Sequence, residues 1–343
     1  MKAVFLRRHG GPEVLEYGVR PDPKPGPGEV LVSVRACALN HLDIWVRQGL
    51  PGVSIPLPHI PGSDVCGVVL STGPGAGRFK RGQRVIVSPG QVPPGDPEGY
   101  AARDSYSHRF RIMGLQTPGG YAEKVVAEER FVVPVSSRWS DAEWAALPLA
   151  GLTAYHMLVT RAGLRAGETV LVHAAGSGIG AYAVQIAKTL GATVLTTVGD
   201  PRKVTPALKL GADEVIQYRR EDFSEKVRAL TGGRGVDVIF EHIGPETWPK
   251  NLTCLARGGR MVTCGATSGP KAEVDIRYLY SKQLSILGSY MGSFAELSRV
   301  IEMAEGGTLR PVVDRTYSLR RAAEAHRRME SRANFGKIVL RVR

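Results

Sequence analysis

The chain has 343 residues, 43% hydrophobic and 22% charged, with 41 glycines and a net charge of +13. That length suits two ordinary domains, that composition excludes a disordered chain, and no apolar run reaches the length of a membrane span. The four cysteines are widely spread, which fits reduced thiols, and Arg7, Arg8 and His9 come too early for a signal-peptide core, so a cytoplasmic protein is expected.

The first part reads as strands and turns. EVLVSVRACAL alternates, with Val30, Val32 and Val34 on one face and Ser33, Arg35 and Cys37 on the other. Further strands are expected at DVCGVVLS, QRVIVS and AEKVVAEERFVVPV, while turn residues crowd PDPKPGPGE and STGPGAGRFKRG. Near residue 140 the period changes. Ser140 and Glu143 form a capping box that opens a helix, AEWAAL, expected to stop at Pro148.

Strands and helices then alternate. TVLVHA, TVLTTV, EVIQY, VDVIFEHI, GRMVTCGA and LSILGSY read as strands. GIGAYAVQIAKTLGA reads as a helix with Ile179, Ala183, Ile186, Ala187 and Leu190 on one face; PRKVTPALKLGA, interrupted by Pro206, and EDFSEKVRALTGG read as further helices. This pattern predicts an α/β domain with a parallel sheet covered on both faces, following a β-rich domain. FAELSRVIEMAEGG and LRRAAEAHRRMES are amphipathic helices. A last strand, KIVLRV, has no partner of its own and is expected to return to the first domain. Basic residues gather in RRAAEAHRRMESR, with Glu324 and Glu330 available as helix partners. No nucleic-acid motif accompanies them, so the expectation is a solvated helix rather than a nucleic-acid surface.

VLVHAAGSGIGAYAVQIAK is the most informative local motif. A buried strand runs into a turn carrying Gly176, Gly178 and Gly180, and the turn opens a helix whose free amides and dipole suit a pyrophosphate. The strict G-x-G-x-x-G is not met, because Ala175 and Ser177 stand at its first two glycine positions. The second strand ends in Val198 and Gly199, without the acidic residue that would hold the ribose hydroxyl of NAD. Arg202 and Lys203 lie close by. NADP(H) is therefore expected over NAD(H), with Asp200 arguing the other way.

The ordered set MKAVFLRRHGGPEVLEY, PGPGEVLVSVRACALNHLD, PGSDVCGVV, GGYAEKVV, LPLAGLTAYHML and NFGKIVL resembles the medium-chain dehydrogenase/reductase superfamily. TVGDPRKVTPALKLGADEVIQYRRED and LTGGRGVDVIFEHIG are similar to its quinone oxidoreductase-like branch. The resemblance implies a GroES-like catalytic domain (1–148), a Rossmann domain (149–292), a segment returning to the first domain (293–343), and an active site in the cleft between domains.

It also implies where a catalytic zinc would bind. The first cysteine ligand falls on Asn40, with Asp43 as the matching acid; the histidine falls on Ser63, with Asp64 after it; the third ligand falls on Leu149. None of the three is a zinc ligand, so no metal is expected. The structural zinc lobe's cysteines fall on Pro93, Asp96, Gly99 and Ser107. Cys37, Cys66, His41 and His59 are not expected to build a replacement site. The proton-relay positions of zinc alcohol dehydrogenases hold Leu42 and Trp45.

The expected activity is zinc-independent, NADPH-dependent reduction of a quinone or of the C=C bond of an α,β-unsaturated carbonyl. Asn40 is expected to orient the small-molecule substrate or the nicotinamide, with Asp64 beside it. Thr153 would line the nicotinamide side, and Trp45 an apolar pocket or simply the core. Gly176, Ser177, Gly178, Ile179 and Gly180 would hold the pyrophosphate, and Lys203 and Tyr218 the 2′-phosphate. Gly244 and Gly265 would face the cleft from strand ends. Asn334 would either reach the cofactor or serve as a turn residue. A zinc-type alcohol dehydrogenase and a non-catalytic nucleotide- or RNA-binding protein remain as other readings. The apolar strand LSILGSY suggests a homodimer, with a tetramer also open.

Overall fold

The computed structural model describes residues 1–93, 95–96 and 104–342, and in it the chain forms two units: Met1–Leu152 with Gly292–Arg343, and Thr153–Met291. The first division thus falls four residues after the expected one at Pro148.

The first unit opens on an antiparallel pair, β1 (Lys2–Phe5) with β2 (Glu16–Val19). The alternating stretch becomes β3 (Glu29–Ala38), in which Val30, Val32 and Val34 are fully buried. Each such valine contributes about 1.5–3 kcal/mol. Cys37 and Ser33, on the opposite face, are buried as well. Helix α1 (His41–Gln48) follows directly. Next come β4 (Asp64–Thr72), β5 (Arg84–Val87), the short pair β6 (Gly90–Gln91) and β7 (Arg111–Ile112), then β8 (Lys124–Glu128) and β9 (Val132–Pro134). The expected capping box starts α2 (Asp141–Ala146): Glu143 N donates to Ser140 Oγ at 3.3 Å, and Ser140 N donates to the Glu143 carboxylate at 2.8 Å. Pro148 does more than stop that helix. It begins α3 (Pro148–Tyr155), at a position where a missing N–H removes no helical bond.

In the second unit β10 (Thr169–Val172), α4 (Gly178–Thr189) and β11 (Thr193–Val198) follow the expected alternation. A 3-10 turn at Pro201–Lys203 leads into α5 (Val204–Lys209), whose first turn takes Pro206 without losing a bond. β12 (Glu214–Gln217), α6 (Phe223–Leu230), β13 (Val236–Glu241), α7 (Trp248–Cys254), β14 (Leu255–Thr263), α8 (Ile276–Lys282) and β15 (Ser285–Gly288) complete the unit. Helices α7 and α8 are not evident in the sequence because each has only seven residues, about two turns, with little apolar periodicity. The six strands are parallel, ordered β12-β11-β10-β13-β14-β15. The direction of winding reverses between β10 and β13, the switch point at which open α/β sheets bind ligands.

The chain then returns to the first unit through α9 (Phe294–Gly306), β16 (Val313–Ser318), α10 (Ala322–Glu330) and β17 (Lys337–Arg341). The last strand pairs antiparallel with β3 (Val339 opposite Ala38) and parallel with β16. It therefore has a neighbour of its own, β16, which was missed because VDRTYS buries one residue and carries two charges. The sheet runs β16-β17-β3-β4-β5-β9, with β8 also on β3. The basic helix is tied down locally: Arg321 pairs with Glu324, Arg328 with Asp314 of β16 at 2.6 Å, and Arg320 lies over the Tyr17 ring. Glu330, expected as a helix partner, instead pairs with Arg47. Among the described residues no helix is long and apolar enough to cross a membrane.

Candidate active site

Three strand ends meet in the first unit. Ala38, closing β3, is opposite both Asp64, which opens β4, and Val339 of β17. That register brings Asn40, Asp64 and Lys337 together, 7%, 0% and 3% exposed. Asn40 Nδ2 donates to Asp64 Oδ2 at 2.8 Å. Lys337 Nζ donates to Asn40 Oδ1 at 2.5 Å and to Asp64 Oδ2 at 2.9 Å. The other Asp64 oxygen accepts from Leu149 N at 2.7 Å. An ammonium only donates and a carboxylate only accepts, so the amide has a single allowed orientation: Oδ1 to Lys337, Nδ2 to Asp64. In the sequence Lys337 counts only among the basic residues near the C-terminus and has no expected site role. Its signal was its position: it is the lysine of the Gly-Lys in NFGKIVL and opens the returning strand.

These residues do not fit a catalytic zinc. The Leu149 side chain has no metal-ligating atom, and the one ligand atom of Asn40 faces an ammonium, which would repel a dication. Ser63 is buried, and its Oγ has no hydrogen-bond partner among the described residues, but a single hydroxyl is no zinc site. In the lobe, Asp96 and Ser107 are bonded to each other at 2.8 Å; Pro93 offers no ligand, and Gly99 lies outside the described residues. Cys37 and Cys66 are buried thiols, and burial pushes Cys66 up to about 12. His59 Nε2 bonds to the Gly114 carbonyl. Among the described residues no group of three or more His, Cys, Asp or Glu could hold a metal.

Asp43 supports the cluster from behind. Its Oδ2 accepts from Asn40 N at 2.7 Å and its Oδ1 from Gly62 N at 3.0 Å, so one carboxylate ties the start of α1 to the segment entering β4. Burial raises Asp43 to about 7 against the pull of those donors. Tyr121 lies beside this carboxylate, and its hydroxyl meets His326 Nε2 at 3.2 Å. Gly62 has φ +102°, and a Cβ there would come within 2.4 Å of the Tyr121 ring. Arg47, Tyr121 and His326 were not singled out in the sequence; nothing in their local patterns marks them as buried together.

In the second unit, Ser177 caps α4: its Oγ accepts from Gly180 N at 2.9 Å. The amides of Gly178 and Ile179, in the first turn, are left open by that cap. A Cβ on Gly180 would lie 2.2 Å from the Ala174 carbonyl oxygen, so only glycine lets the helix sit this close to the strand. Ala174 takes a left-handed φ of 54°, and its N donates to Thr197 Oγ1 at 2.9 Å. Such a glycine-rich strand–turn–helix with open amides fits a dinucleotide pyrophosphate.

At the end of β11, Tyr218 packs over Gly199, and Lys203 is half-buried in the 3-10 turn. Asp200 accepts from Arg202 Nη2 at 2.6 Å, and this contact holds Asp200 down at about 2. Gly244 follows β13 with its N–H on Glu241 Oε1 at 2.8 Å, and Gly265 lies against His242. Thr153 is buried in α3. Trp45 is half-buried and meets His41 edge-on, ring centroids 5.0 Å apart. Asn334 Nδ2 donates to the Gly336 carbonyl at 2.8 Å, a contact within the turn before β17.

Residues 26–137 match the alcohol dehydrogenase GroES-like domain family, and residues 178–306 match the zinc-binding dehydrogenase family. The chain is 34% identical to a quinone oxidoreductase of Pseudomonas aeruginosa over 99% of both. The chain belongs to the medium-chain dehydrogenase/reductase superfamily, quinone oxidoreductase-like. It is an oxidoreductase of that type. Crotonyl-CoA reductase of Streptomyces collinus is 31% identical over 93% of this chain and 79% of its own length. A crystal structure of an NAD-dependent alcohol dehydrogenase is 42% identical with a TM-score of 0.96, covering all of both chains. The parallel sheet is the Rossmann-like part of this superfamily and the β-rich unit its GroES-like part.

Proposed function

We propose that this oxidoreductase reduces quinones, or the C=C bond of α,β-unsaturated carbonyls, with NADPH and without zinc. The carrying observation is the Asn40–Asp64–Lys337 cluster, where an amide donor, Asn40, stands at the first zinc-ligand position and is held between a carboxylate and an ammonium. A nicotinamide supplies the hydride when bound. The acceptor's oxygen gains the negative charge, and a proton from water completes the reduction. Conjugation spreads that charge in quinones and enones, so they need less electrophilic help than an isolated ketone, and an amide donor is enough. Asn40 has a second Nδ2 N–H with no hydrogen bond among the described residues, which is the donor we assign to the acceptor oxygen. Trp45 gives a flat apolar wall. Two relatives are named for such acceptors, a quinone oxidoreductase and a crotonyl-CoA reductase.

NADP(H) is supported by Gly199 at the strand end, by Arg202 cancelling the Asp200 charge, and by Lys203 and Tyr218 nearby. NAD(H) is the second reading; Asp200 and the NAD-dependent solved relative favour it. A homodimer through β15, the outer strand of its sheet, completes the proposal.

The test is oxidation of NADPH and NADH, in parallel, against quinones, enones and enals, before and after dialysis with a chelator. NADPH turnover that survives chelation is expected. Zinc-dependent alcohol oxidation would overturn the reading. Absence of turnover, with salt-sensitive RNA binding, would favour the non-catalytic alternative.

A further inference from the structure

Lys337 is unusual in its setting. Its ammonium is 3% exposed, yet its partners are one carboxylate and one neutral amide. Placing a long cation at the head of a buried strand costs desolvation, and the same space would accept an apolar residue if Asp64 were neutral. Asp64 already has the Leu149 amide and the Asn40 amide as donors. What Lys337 adds is a charged donor on Asn40 Oδ1.

We propose that Lys337 is a positioning residue for the hydride acceptor: it holds the Asn40 amide in one orientation, and its charge polarises that amide toward the acceptor oxygen. This rests on the proposed reduction of conjugated acceptors. With Oδ1 on the ammonium, Nδ2 faces Asp64 with one N–H, and its other N–H stays available. Drawing electron density toward Oδ1 makes the remaining N–H a stronger donor, as along any hydrogen-bond chain in a low-dielectric setting. A fixed donor costs no reorganisation when charge develops on the acceptor oxygen. Without the cation and the carboxylate, the amide loses both side-chain partners that set its orientation and keeps only the capping approach of the Asp43 backbone amide at the start of α1. Acceptors whose oxygen becomes an enolate or a hydroquinone anion would gain most.

The decisive comparison uses three variants of the full chain: Lys337→Met, Lys337→Arg, and Lys337→Met with Asp64→Asn. The single methionine variant leaves a buried carboxylate unpaired and is expected to lose thermal stability. The double variant removes both charges and is expected to regain most of it. Dinucleotide affinity, read by fluorescence titration, should be unchanged in the double variant. Its kcat for a quinone should nevertheless fall roughly 10- to 100-fold, with little change in KM, because the donor is present but no longer oriented. Lys337→Arg retains a cationic donor and should recover part of that loss. Binding of a phenol, an unreactive mimic of the reduced product, should weaken in parallel, measured calorimetrically without turnover.

A double variant that is stable and reduces quinones as fast as the parent, with the same phenol affinity, would reduce Lys337 to a structural ion pair and overturn the inference. A parent protein that reduces no conjugated acceptor at all would instead overturn the proposed function, and this inference with it.

Discussion

Arg47 and His326 fix each other's hydrogen-bonding state. The guanidinium is 1% exposed, donates from Nη1 to His326 Nδ1 at 3.2 Å, and is held by the Gly10 carbonyl and Glu330. A guanidinium only donates, so Nδ1 must accept, and the neutral ring carries its proton on Nε2. That proton goes to the Tyr121 oxygen, and the Tyr121 hydroxyl is left to face Asp43. A chain of donors thus runs from Arg47 to the carboxylate that ties Asn40 to Gly62.

This chain predicts two opposed pH dependences. Burial, aided by the Arg47 charge, holds His326 down at about 3, whereas an unfolded histidine titrates near ~6.5. Its stabilisation is complete above ~6.5 and is lost as pH falls toward 3. Asp43 is raised to about 7, against ~3.9 when unfolded, so its stabilisation is complete below ~3.9 and is lost as pH rises through 7. Between pH ~4 and ~6.5 the two slopes offset each other. The other ionisable groups facing the pair are Arg47, Glu330, Tyr121, Cys37, Asp64 and Lys337. In His326→Gln the Asp43 slope stands alone, so its Tm should fall steadily from pH 4 to 7 while the parent stays nearly flat. Matching profiles for the two proteins would sink this account.

Asn40→Ala should cost about 10²-fold in kcat/KM for a quinone, the scale of a lost oxyanion donor, and leave dinucleotide affinity unchanged. Stability should drop by ~1–2 kcal/mol, because Lys337 loses one of its two acceptors. Asn40→Cys restores one ligand type at the position the zinc family uses. Elemental analysis should still find no stoichiometric zinc, because Ser63 and Leu149 remain poor ligands and Lys337 remains a cation. Stoichiometric zinc in that variant would show that the other positions can bind metal after all.

What the sequence disclosed, and what it did not, follows from the range of the interactions involved. The alternation of β3, the capping box at Ser140 and the glycine turn before α4 are local patterns with local causes, and each was readable. Strand β16 and helix α7 were not, because both are short and weakly patterned: VDRTYS buries one residue, and α7 spans seven residues with two of its three buried positions adjacent. The candidate site divides in the same way. Asn40 and Asp64 stand out because they occupy motif positions, whereas Lys337 meets them only through the pairing of β17 with β3, across 297 residues. His326 and Tyr121, separated by 205 residues, carry no sequence mark of their meeting. Asn334, expected either to reach the cofactor or to serve a turn, has its amide on the Gly336 carbonyl just before β17.

Two positions with left-handed backbone predict opposite outcomes. Gly62→Ala forces a side chain into φ +102° and into the Tyr121 ring, and should destabilise by about 2–4 kcal/mol in chemical denaturation. Ala174→Gly relieves a φ of 54° in an L-residue and should stabilise by up to ~1 kcal/mol, even though glycine loses more chain entropy on folding. Equal losses at both sites would mean that backbone strain at Ala174 is negligible.

The end of β11 offers the sharpest test of cofactor choice. Arg202 is exposed, its side chain 87% accessible, and is held on Asp200 through Nε and Nη2. A 2′-phosphate would compete for that guanidinium and for the Lys203 ammonium, each charge-assisted contact being worth ~1.5–3 kcal/mol. Arg202→Ala with Lys203→Ala should therefore weaken NADPH binding at least about tenfold. It should also leave the Asp200 carboxylate uncompensated, free to accept from a ribose hydroxyl, so NADH affinity should hold or rise. Fluorescence titration with both nucleotides reads the two effects separately. If NADPH affinity is unmoved, or both nucleotides weaken alike, the 2′-phosphate does not bind here and NAD(H) becomes the better reading.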